Sequence, residues 1–510
     1  MNILRRPATV VGAARVGRLP LLSLAFAAWH FSAAAFAAAG PLEGFEVDVG
    51  QALAVTGTPG TAVAIVKNGA PIYLGGFGVR RVGSTERIDP HTLFGIGSLT
   101  KAFTAADVAL LVDSGSVELD APITRYVPSF ALLEACRGQN ATVRDLLAHR
   151  TGLGDTNWLT VNTTLSPETI IERLPFVVPD AGFREKYLYQ NTMYMVLGQA
   201  IKHVSGLDWS TFTNERVLKP LGMTETTTGQ PAPSANAAMP HLVSARVAHV
   251  IPPLNITNVA PAGAMYSSAS DLAKWLDFQT REGKDGGLLS PRMLGEMHSA
   301  QIARKADPYL YPDATMVAYG LAWILWDYHG LRIVSHDGAI DGMTAKICLV
   351  PSLGIGIVVL ANSEYSAVPN VLVYDALDRL TTEVAPHPRK DWLAHFVPLV
   401  AMLLDERAAE ESALEALIVR GSAAPRPVAG RYESGLFGTV TVSTTLTGGR
   451  IDLLGRDSPL LALRDGSFAV DLAAPGLEHA DFRLRFGATT ADPALTIAVA
   501  GHEYLLRRDP

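Results

Sequence analysis

The sequence is poor in the residues that several large protein classes require. Its 510 residues contain only two cysteines, Cys136 and Cys348, too few for a disulfide scaffold. The sequence leaves open whether these two form a bridge or stay apolar thiols. The 13 histidines include no His-x-x-x-His or His-Glu-x-x-His spacing, and no glycine-rich phosphate loop is present. We therefore predict neither a metal site nor a cofactor.

Positive charge is also scarce. There are 42 lysines and arginines against 49 aspartates and glutamates, which gives a net charge of −7. An acidic chain of this kind argues against nucleic acid as a partner. Hydrophobic residues make up 48% of the sequence and charged residues 18%, so the chain can bury a large core. Its length exceeds that of one ordinary domain.

The first 39 residues differ from the rest of the chain. They carry four arginines, no acidic residue and an apolar run over 19–36, and Ala35-Phe36-Ala37 then fits the small-x-small pattern of a signal peptidase site. We predict a signal peptide at 1–39 and a periplasmic or secreted mature protein without a stable membrane span. A retained anchor is the alternative, because the apolar run approaches the ~20 residues that cross a bilayer.

Residues 40–385 mix strand-like and helical patterns without a low-complexity break, which predicts one α+β domain. Strand-like runs at its two ends predict a central antiparallel sheet of about five strands. They are 61–66, 71–75, 331–339, 344–350 and 355–361. Helical patterns at 98–112, 143–149, 192–205 and 270–278 lie between them and predict flanking helices and an all-helical subdomain.

The pattern changes after residue 385. Residues 386–427 combine an apolar helical stretch with a charged and then a proline-rich segment, which predicts a helical linker. From 428 to 510 short alternating runs are separated by glycines, and this is typical of a small all-β barrel or sandwich domain.

Ser98-Leu99-Thr100-Lys101 opens the most apolar predicted helix. Residues three apart lie on the same helix face, so Ser98 and Lys101 are expected to be neighbours. A serine hydroxyl needs an adjacent base, and lysine becomes one when desolvation lowers its pKa. The alternative is an ordinary N-cap serine with a solvated lysine. No other serine in the chain has a lysine three residues later.

Two further motifs carry groups that can support such chemistry. Tyr189-Gln190-Asn191 precedes a predicted helix, and a tyrosine beside an ammonium ionises more easily and can relay protons. Alternatively, Asn191 caps that helix while Tyr189 packs in the core. In His336-Asp337-Gly338, His336 could donate to a substrate or polarise the tyrosine. Gly338 would let a substrate backbone approach the strand.

In this order the three motifs resemble those of the serine β-lactamase and penicillin-binding protein superfamily. The branch with Tyr-x-Asn comprises class C β-lactamases, D-alanyl-D-alanine carboxypeptidases, D-aminopeptidases and related esterases, the peptidase S12-like group. Residues 146–153, 218–223 and 261–273 are similar to its "LLxHxSGL", "xxPLGM" and "AGGLxSTxxDLA" segments. The C-terminal strands resemble the lipocalin-like domains of some members.

The resemblance implies a role for each motif residue. Ser98 would be the nucleophile, and Lys101 and Tyr189 would move its proton. Asn191 would hold the substrate amide and Lys101, while the backbone N–H groups of Ser98 and Ala339 would form the oxyanion hole. The chain is thus expected to be an exported serine hydrolase that cleaves ester or amide bonds of a small molecule or peptide through an acyl-enzyme, without a cofactor.

One departure from the family pattern affects the expected substrate. His336 stands where lactamases and carboxypeptidases usually have lysine, and a histidine near its ordinary pKa is mostly neutral at pH 7. Asp337 adds a negative charge that would raise the pKa of His336 or repel anions. We expect esters, amides or amine-bearing peptides to be preferred over penicillins, as in an esterase, a D-aminopeptidase or carboxypeptidase, or a weak β-lactamase. A non-catalytic penicillin-binding or sensor protein is the alternative, and the oligomeric state is left open.

Overall fold

The computed structural model describes residues 40–244, 246–281, 287–420, 424–445, 448–470, 482–487 and 494–508. The predicted signal peptide at 1–39 lies outside the described residues. The elements before residue 385 form the α+β part of the chain, and a closed β-barrel follows a long helix.

The central sheet is antiparallel and has eight strands in the order β2-β1-β12-β11-β10-β9-β8-β7. Its strands are β1 Gly60–Lys67, β2 Ala70–Gly78, β7 Ile302–Ala303, β8 Val317–Tyr319, β9 Ile324–Tyr328, β10 Leu331–Ile340, β11 Met343–Val350 and β12 Ile355–Ala361. Two small pairs lie outside it: β3 Phe94–Gly95 with β6 Tyr266–Ser267, and β4 His241–Ser244 with β5 Val247–Val250.

The middle of the sheet is covered on both faces. In β12 every residue is buried, and successive side chains enter opposite cores. Ile355, Ile357 and Val359 belong to the core on one face, whereas Val358 and Leu360 belong to the core on the other. This is why the run reads as continuously hydrophobic rather than alternating.

The five predicted strands are all present, but the expected strand number was too low. The additional strands β7, β8 and β9 form one edge of the sheet and contain two, three and five residues. Runs this short do not establish a period of two, and Gly320 and Gly330 interrupt the sequence around them. The antiparallel α+β architecture itself is confirmed.

The helices pack on both faces of the sheet and form the helical part beside it. They are α1 Phe45–Thr56, α2 Thr100–Asp113, α3 Ala135–Asn140, α4 Val143–Leu147, α5 Asn157–Thr160, α6 Pro167–Arg173, α7 Asn191–Ser205, α8 Trp209–Thr213, α9 Ala260–Gly263, α10 Ala269–Thr280, α11 Pro291–Met297, α12 Val368–Thr381 and α13 Trp392–Leu417. Helix α2 contacts α7, α8 and α9, and eleven of its residues are buried. Its apolar sequence is explained by this central position.

The C-terminal strands close into an eight-stranded antiparallel barrel. They are β13 Gly430–Ser434, β14 Gly438–Thr444, β15 Gly449–Leu453, β16 Arg456–Ala462, β17 Phe468–Val470, β18 Arg483–Phe486, β19 Ala494–Val499 and β20 His502–Arg508. In β19 the buried residues Leu495, Ile497 and Val499 alternate with less buried ones, as in a strand with one face toward a barrel interior. The barrel alternative of the prediction is therefore confirmed.

Helix α13 occupies the segment predicted as a linker. The domain boundaries at 40–385, 386–427 and 428–510 stay predictions. Cys136 is exposed and Cys348 is buried in β11, and both are free thiols, so the bridge that the sequence left open does not form. Among the described residues, no helix combines the length and the apolar character needed to cross a bilayer.

Candidate active site

Ser98 lies in a tight turn directly before helix α2. The turn, Gly97–Leu99, is a 3-10 helix, and the α-helix begins at Thr100. Ser98 is therefore not the N-cap that the alternative interpretation proposed. It is partly exposed, while the residues on both sides of it are buried. Ser98 is therefore the most accessible residue of this turn.

Lys101 is fully buried, and its side-chain nitrogen has three polar neighbours. Its Nζ lies 3.1 Å from Ser98 Oγ, 2.6 Å from Asn191 Oδ1 and 2.7 Å from the carbonyl oxygen of Ala262. Burial holds the pKa of Lys101 well below its ordinary value. The Asn191 and Ala262 oxygens can only accept hydrogen bonds, so the lysine nitrogen donates to both. When Lys101 is deprotonated, its lone pair is left for the Ser98 hydroxyl.

Tyr189 packs over the same amine. The Lys101 Nζ lies 4.6 Å from the centroid of its ring. The Tyr189 hydroxyl is buried and has no hydrogen-bond partner of ordinary geometry among the described residues. Burial raises its pKa well above the ordinary value, and the hydroxyl of Ser98 only partly opposes this effect. The expectation of easier ionisation is therefore wrong, and Tyr189 is a neutral phenol at rest.

His336 faces this group from strand β10. Its ring centroid is 6.3 Å from that of Tyr189, and its Nε2 lies 2.9 Å from the hydroxyl of Tyr319. Its Nδ1 donates to the Asp337 carbonyl oxygen at 2.7 Å, so Nε2 accepts from Tyr319. Burial, and then the charge of Lys101, lower the pKa of His336 to about 4, although Asp337 acts in the opposite direction. The imidazole is neutral at pH 7.

The negative charge of Asp337 has a partner of its own. Lys346, opposite it on β11, donates to its carboxylate at 2.6 Å. Desolvation raises the pKa of Asp337. The charge and hydrogen bond of Lys346 outweigh desolvation and hold this pKa below its ordinary value. The sequence left open whether Asp337 would act on His336 or on an anionic substrate. In the structure its charge is largely balanced by Lys346.

Strand β10 and the Ser98 turn approach each other closely. A side-chain carbon on Gly97 would lie 2.6 Å from the carbonyl oxygen of Ala339, and one on Gly338 would lie 2.2 Å from that of Ile96. Gly97 also has a left-handed backbone with φ of +50°. Gly338 thus lets the backbone of Ile96 approach strand β10. The approach of a substrate backbone at Gly338 stays a prediction. The Ser98 turn and the backbone of Ala339 are therefore in close contact.

The side chains proposed from the sequence therefore lie close together. Ser98, Lys101 and Asn191 are joined by hydrogen bonds, Tyr189 packs against Lys101, and the ring of His336 lies near that of Tyr189. No cluster of three or more potential metal-ligating side chains occurs in the part of the chain that the structure describes. The arrangement supplies a nucleophile, a buried amine and a neutral phenol. Residues 48–380, more than half of the chain, match the family described as Beta-lactamase.

The chain belongs to the beta-lactamase family. Two groups of relatives illustrate the range of proteins to which the chain is similar. "Unguisins hydrolase ungD'" of Aspergillus campestris is 33% identical over 355 residues, which cover 66% of this chain and 64% of the relative. "Protein flp" of Staphylococcus aureus is 26% identical over 341 residues, covering 66% and 65%. The matched regions thus span slightly less than two thirds of these relatives.

Solved structures of other proteins share the fold of this beta-lactamase family member. The octameric penicillin-binding protein homologue from Pyrococcus abyssi has a TM-score of 0.60 at 23% identity and covers 91% of this chain and 100% of its own. A class C beta lactamase from Rhodobacter sphaeroides has a TM-score of 0.54 at 20% identity, with 66% and 99% covered. At these identities the likeness establishes the fold.

In this beta-lactamase family member, His149 lies beside the candidate active site, and the motifs did not indicate a role for it. It is fully buried and has a left-handed backbone with φ of 56°. Its carbonyl oxygen accepts from the Leu188 N–H at 2.9 Å and its Nδ1 from the Gln190 N–H at 3.0 Å. These two residues flank Tyr189. Burial, and then the charge of Lys101, hold the pKa of His149 well below its ordinary value, so it remains a neutral acceptor.

Arg304 is a second residue that the motifs did not indicate. Its guanidinium lies 5.4 Å from the ring of Tyr187 and 5.3 Å from that of Tyr311, to whose hydroxyl it donates at 3.0 Å. No carboxylate among the described residues forms an ion pair with it. Its charge favours the ionised form of nearby Tyr189, although burial dominates that pKa. Nothing in the sequence around position 304 signals this placement.

Proposed function

We propose that this chain is an exported serine hydrolase that forms an acyl-enzyme at Ser98 and cleaves ester or amide bonds of a small molecule or peptide. One observation carries the proposal: the buried amine of Lys101 has two acceptor-only neighbours, and its third neighbour is the Ser98 hydroxyl. A neutral amine in this position is a base directed at a nucleophile. The name of the relative "Unguisins hydrolase ungD'" supports hydrolysis as the reaction class.

In acylation, the Ser98 proton moves to Lys101 as Ser98 Oγ bonds to the substrate carbonyl carbon. The resulting oxyanion accepts hydrogen bonds from the backbone amides of Ser98 and Ala339. Tyr189, held as a neutral phenol, donates its proton to the leaving oxygen or nitrogen as the carbonyl carbon releases it. Lys101 then returns its proton to Tyr189. Deacylation runs in reverse order: Lys101 takes the Tyr189 proton, and Tyr189 then accepts a proton from water as the water oxygen bonds to the acyl carbon. Lys101 gives its proton to Ser98 Oγ as the acyl bond to serine breaks, and the acid is released.

The charges beside strand β10 guide the choice of substrate. His336 is neutral at pH 7 and therefore does not provide the permanent positive charge of a lysine. The carboxylate of Asp337 is paired with Lys346. Strong binding of a substrate carboxylate is therefore not expected from position 336. We place esters and amides, including peptides with D-residues, ahead of penicillins among the substrates, and expect β-lactam hydrolysis to be slow.

The deciding experiment treats the chain without residues 1–39 with a fluorophosphonate probe and a fluorescent penicillin, then measures turnover of p-nitrophenyl esters and D-alanyl p-nitroanilide. Ser98→Ala should lose both labelling and turnover. Ser290→Ala is the matched control, because Ser290 is a true N-cap that accepts from the Met293 N–H. Wild-type chain that resists the fluorophosphonate would overturn the proposal. Labelling without turnover on any substrate would favour the penicillin-binding or sensor alternative.

Export to the periplasm or medium is part of the same proposal. It rests on the arginine-rich, acid-free leader and the small-x-small site near residue 37. Expression of the full chain in a Gram-negative host, followed by fractionation and mass determination of the mature N-terminus, tests it. A full-length product retained in the membrane fraction would instead support the anchor.

A further inference from the structure

The C-terminal barrel contacts a one-turn helix beside the active site. Helix α5, Asn157–Thr160, contains four residues, and its Trp158 is buried. The Trp158 ring lies 5.7 Å from that of Phe437 and 6.1 Å from that of Phe482, both of which belong to the barrel. The barrel therefore forms part of the core in which α5 is embedded.

Arg456 of the barrel holds the C-terminal end of this helix. Its Nη2 donates to the carbonyl oxygens of Trp158 at 3.2 Å and Val161 at 2.5 Å. Carbonyls at a helix C-terminus have no partner within the helix, and a basic side chain there is a favourable donor. No carboxylate pairs with Arg456 anywhere in the described ranges. A helix of one turn is too short to be stable in isolation, so α5 depends on such external contacts.

The first residue of α5 reaches the catalytic residues directly. Asn157 Oδ1 accepts from Asn191 Nδ2 at 2.8 Å, and Asn191 Oδ1 accepts from Lys101 at 2.6 Å. The Asn157 contact therefore determines which end of the Asn191 amide faces the lysine. The preceding residue, Thr156, is also buried and donates to the Gln190 side chain at 3.0 Å. Displacement of α5 would thus be transmitted to the Tyr189-Gln190-Asn191 segment.

We infer that Arg456 is a positioning residue for the active site: by capping α5 it fixes Asn157, and through Asn157 it orients Asn191 toward Lys101. In this way the barrel stabilises the position of the proposed catalytic residues, which lie in the preceding domain. This inference rests on the proposed function, because activity is its readout. Arg456 touches neither substrate nor the reacting atoms, and its effect passes entirely through the helix.

The test compares Arg456→Ala with Arg450→Ala in the full mature chain. Arg450 is the matched control, because it lies in the neighbouring barrel strand and pairs with Asp457 of the same barrel at its exposed surface. We expect Arg456→Ala to lower kcat/KM on the best p-nitrophenyl ester by about 10- to 100-fold, as for a misplaced catalytic group. Arg456→Lys, which keeps one donor, should recover part of this loss. Equal losses for Arg456→Ala and Arg450→Ala would overturn the inference.

A double-mutant cycle separates positioning from general support of the fold. If Arg456 acts through Asn157, then Arg456→Ala in an Asn157→Ala background should change kcat/KM by less than about twofold. Losses that multiply would show that Arg456 acts by another route. Thermal unfolding of each variant identifies any that fail to fold, and Arg456→Lys then carries the comparison. Wild-type protein unreactive toward fluorophosphonate would refute the proposed function itself, whereas a reactive wild type with uncoupled variants refutes only this inference.

Discussion

The ring of His149 lies 4.4 Å from the ring of Tyr189, and His149 accepts hydrogen bonds from the residues on both sides of that tyrosine. The carbonyl oxygen and the imidazole Nδ1 of His149 thus fix the backbone positions of Leu188 and Gln190. The backbone of His149 itself has the left-handed conformation. The phenol that we assign to proton transfer is therefore fixed by a residue that makes no direct hydrogen bond to it.

Replacement of His149 should displace Tyr189. We expect His149→Ala to lower kcat/KM by about 100-fold, the loss typical of a catalytic group misplaced by about an ångström. His149→Asn should retain more activity, because asparagine tolerates the left-handed backbone and offers an acceptor for the Gln190 N–H. Both variants are measured on the same p-nitrophenyl ester. Similar activity of His149→Ala and wild type would contradict the positioning role.

The close approach of Gly97 to Ala339 makes a second prediction. In Gly97→Ala the new methyl would meet the Ala339 backbone, so the Ser98 turn must move away from strand β10. Separation of the two proposed oxyanion donors, the backbone amides of Ser98 and Ala339, should lower kcat by about 100- to 1,000-fold.

Gly115→Ala is the control for this change. Gly115 also has a positive φ, of 75°, but a methyl there would have no neighbour within 4 Å. It reproduces the backbone strain without the contact. Comparable losses in the two variants would mean that strain, and not the approach to Ala339, is responsible.

The buried amine of Lys101 predicts the pH dependence of acylation. Only the neutral amine accepts the Ser98 proton, so kcat/KM should rise with pH as Lys101 deprotonates, at a pKa below its ordinary value. Lys101→Arg keeps the charge but cannot lose it, and activity should fall by about 100- to 10,000-fold. The measurement is a pH profile with thermal melts of both proteins. An active Lys101→Arg variant would exclude lysine as the base.

Several features were predictable because local physics determines them. The spacing of Ser98 and Lys101 places both on one helix face whatever the rest of the chain does. Gly206 ends α7 with a φ of 77°, as expected for a left-handed helix stop. The alternation in the last 80 or so residues indicated a barrel or sandwich, since one face of each strand must be buried.

Other features depend on contacts between distant segments. The acceptors of His149 meet their donors about 40 residues later in the chain, and Arg456 meets α5 about 300 residues earlier. Contacts between segments this far apart leave no periodic pattern in the local sequence. The pKa of His336 was likewise not predictable, because burial and the charge of Lys101 set it, and neither can be read from the residues around position 336.

The buried neutral histidines predict sensitivity to acid. Burial lowers the pKa of His336 to about 4 and, with a smaller contribution from Arg332, that of His298 to about 3, both from an ordinary value of 6.5. Between the folded and unfolded pKa values the unfolded chain binds more protons than the folded one. The free energy of unfolding should therefore fall as the pH falls through this window, by about 3 kcal/mol for His336 between pH 6.5 and 4.

His298 allows this effect to be measured apart from catalysis. It is not one of the candidate active-site residues, and its Nε2 contacts Gln279 Oε1 at 3.0 Å. Urea unfolding of wild type and His298→Asn at several pH values between 7 and 4 gives the slope of unfolding free energy against pH. The variant should show a smaller slope and near-normal kcat/KM at pH 7, because it removes one group that must take up a proton on unfolding. An unchanged slope would mean that His298 is not a buried neutral histidine in the folded protein.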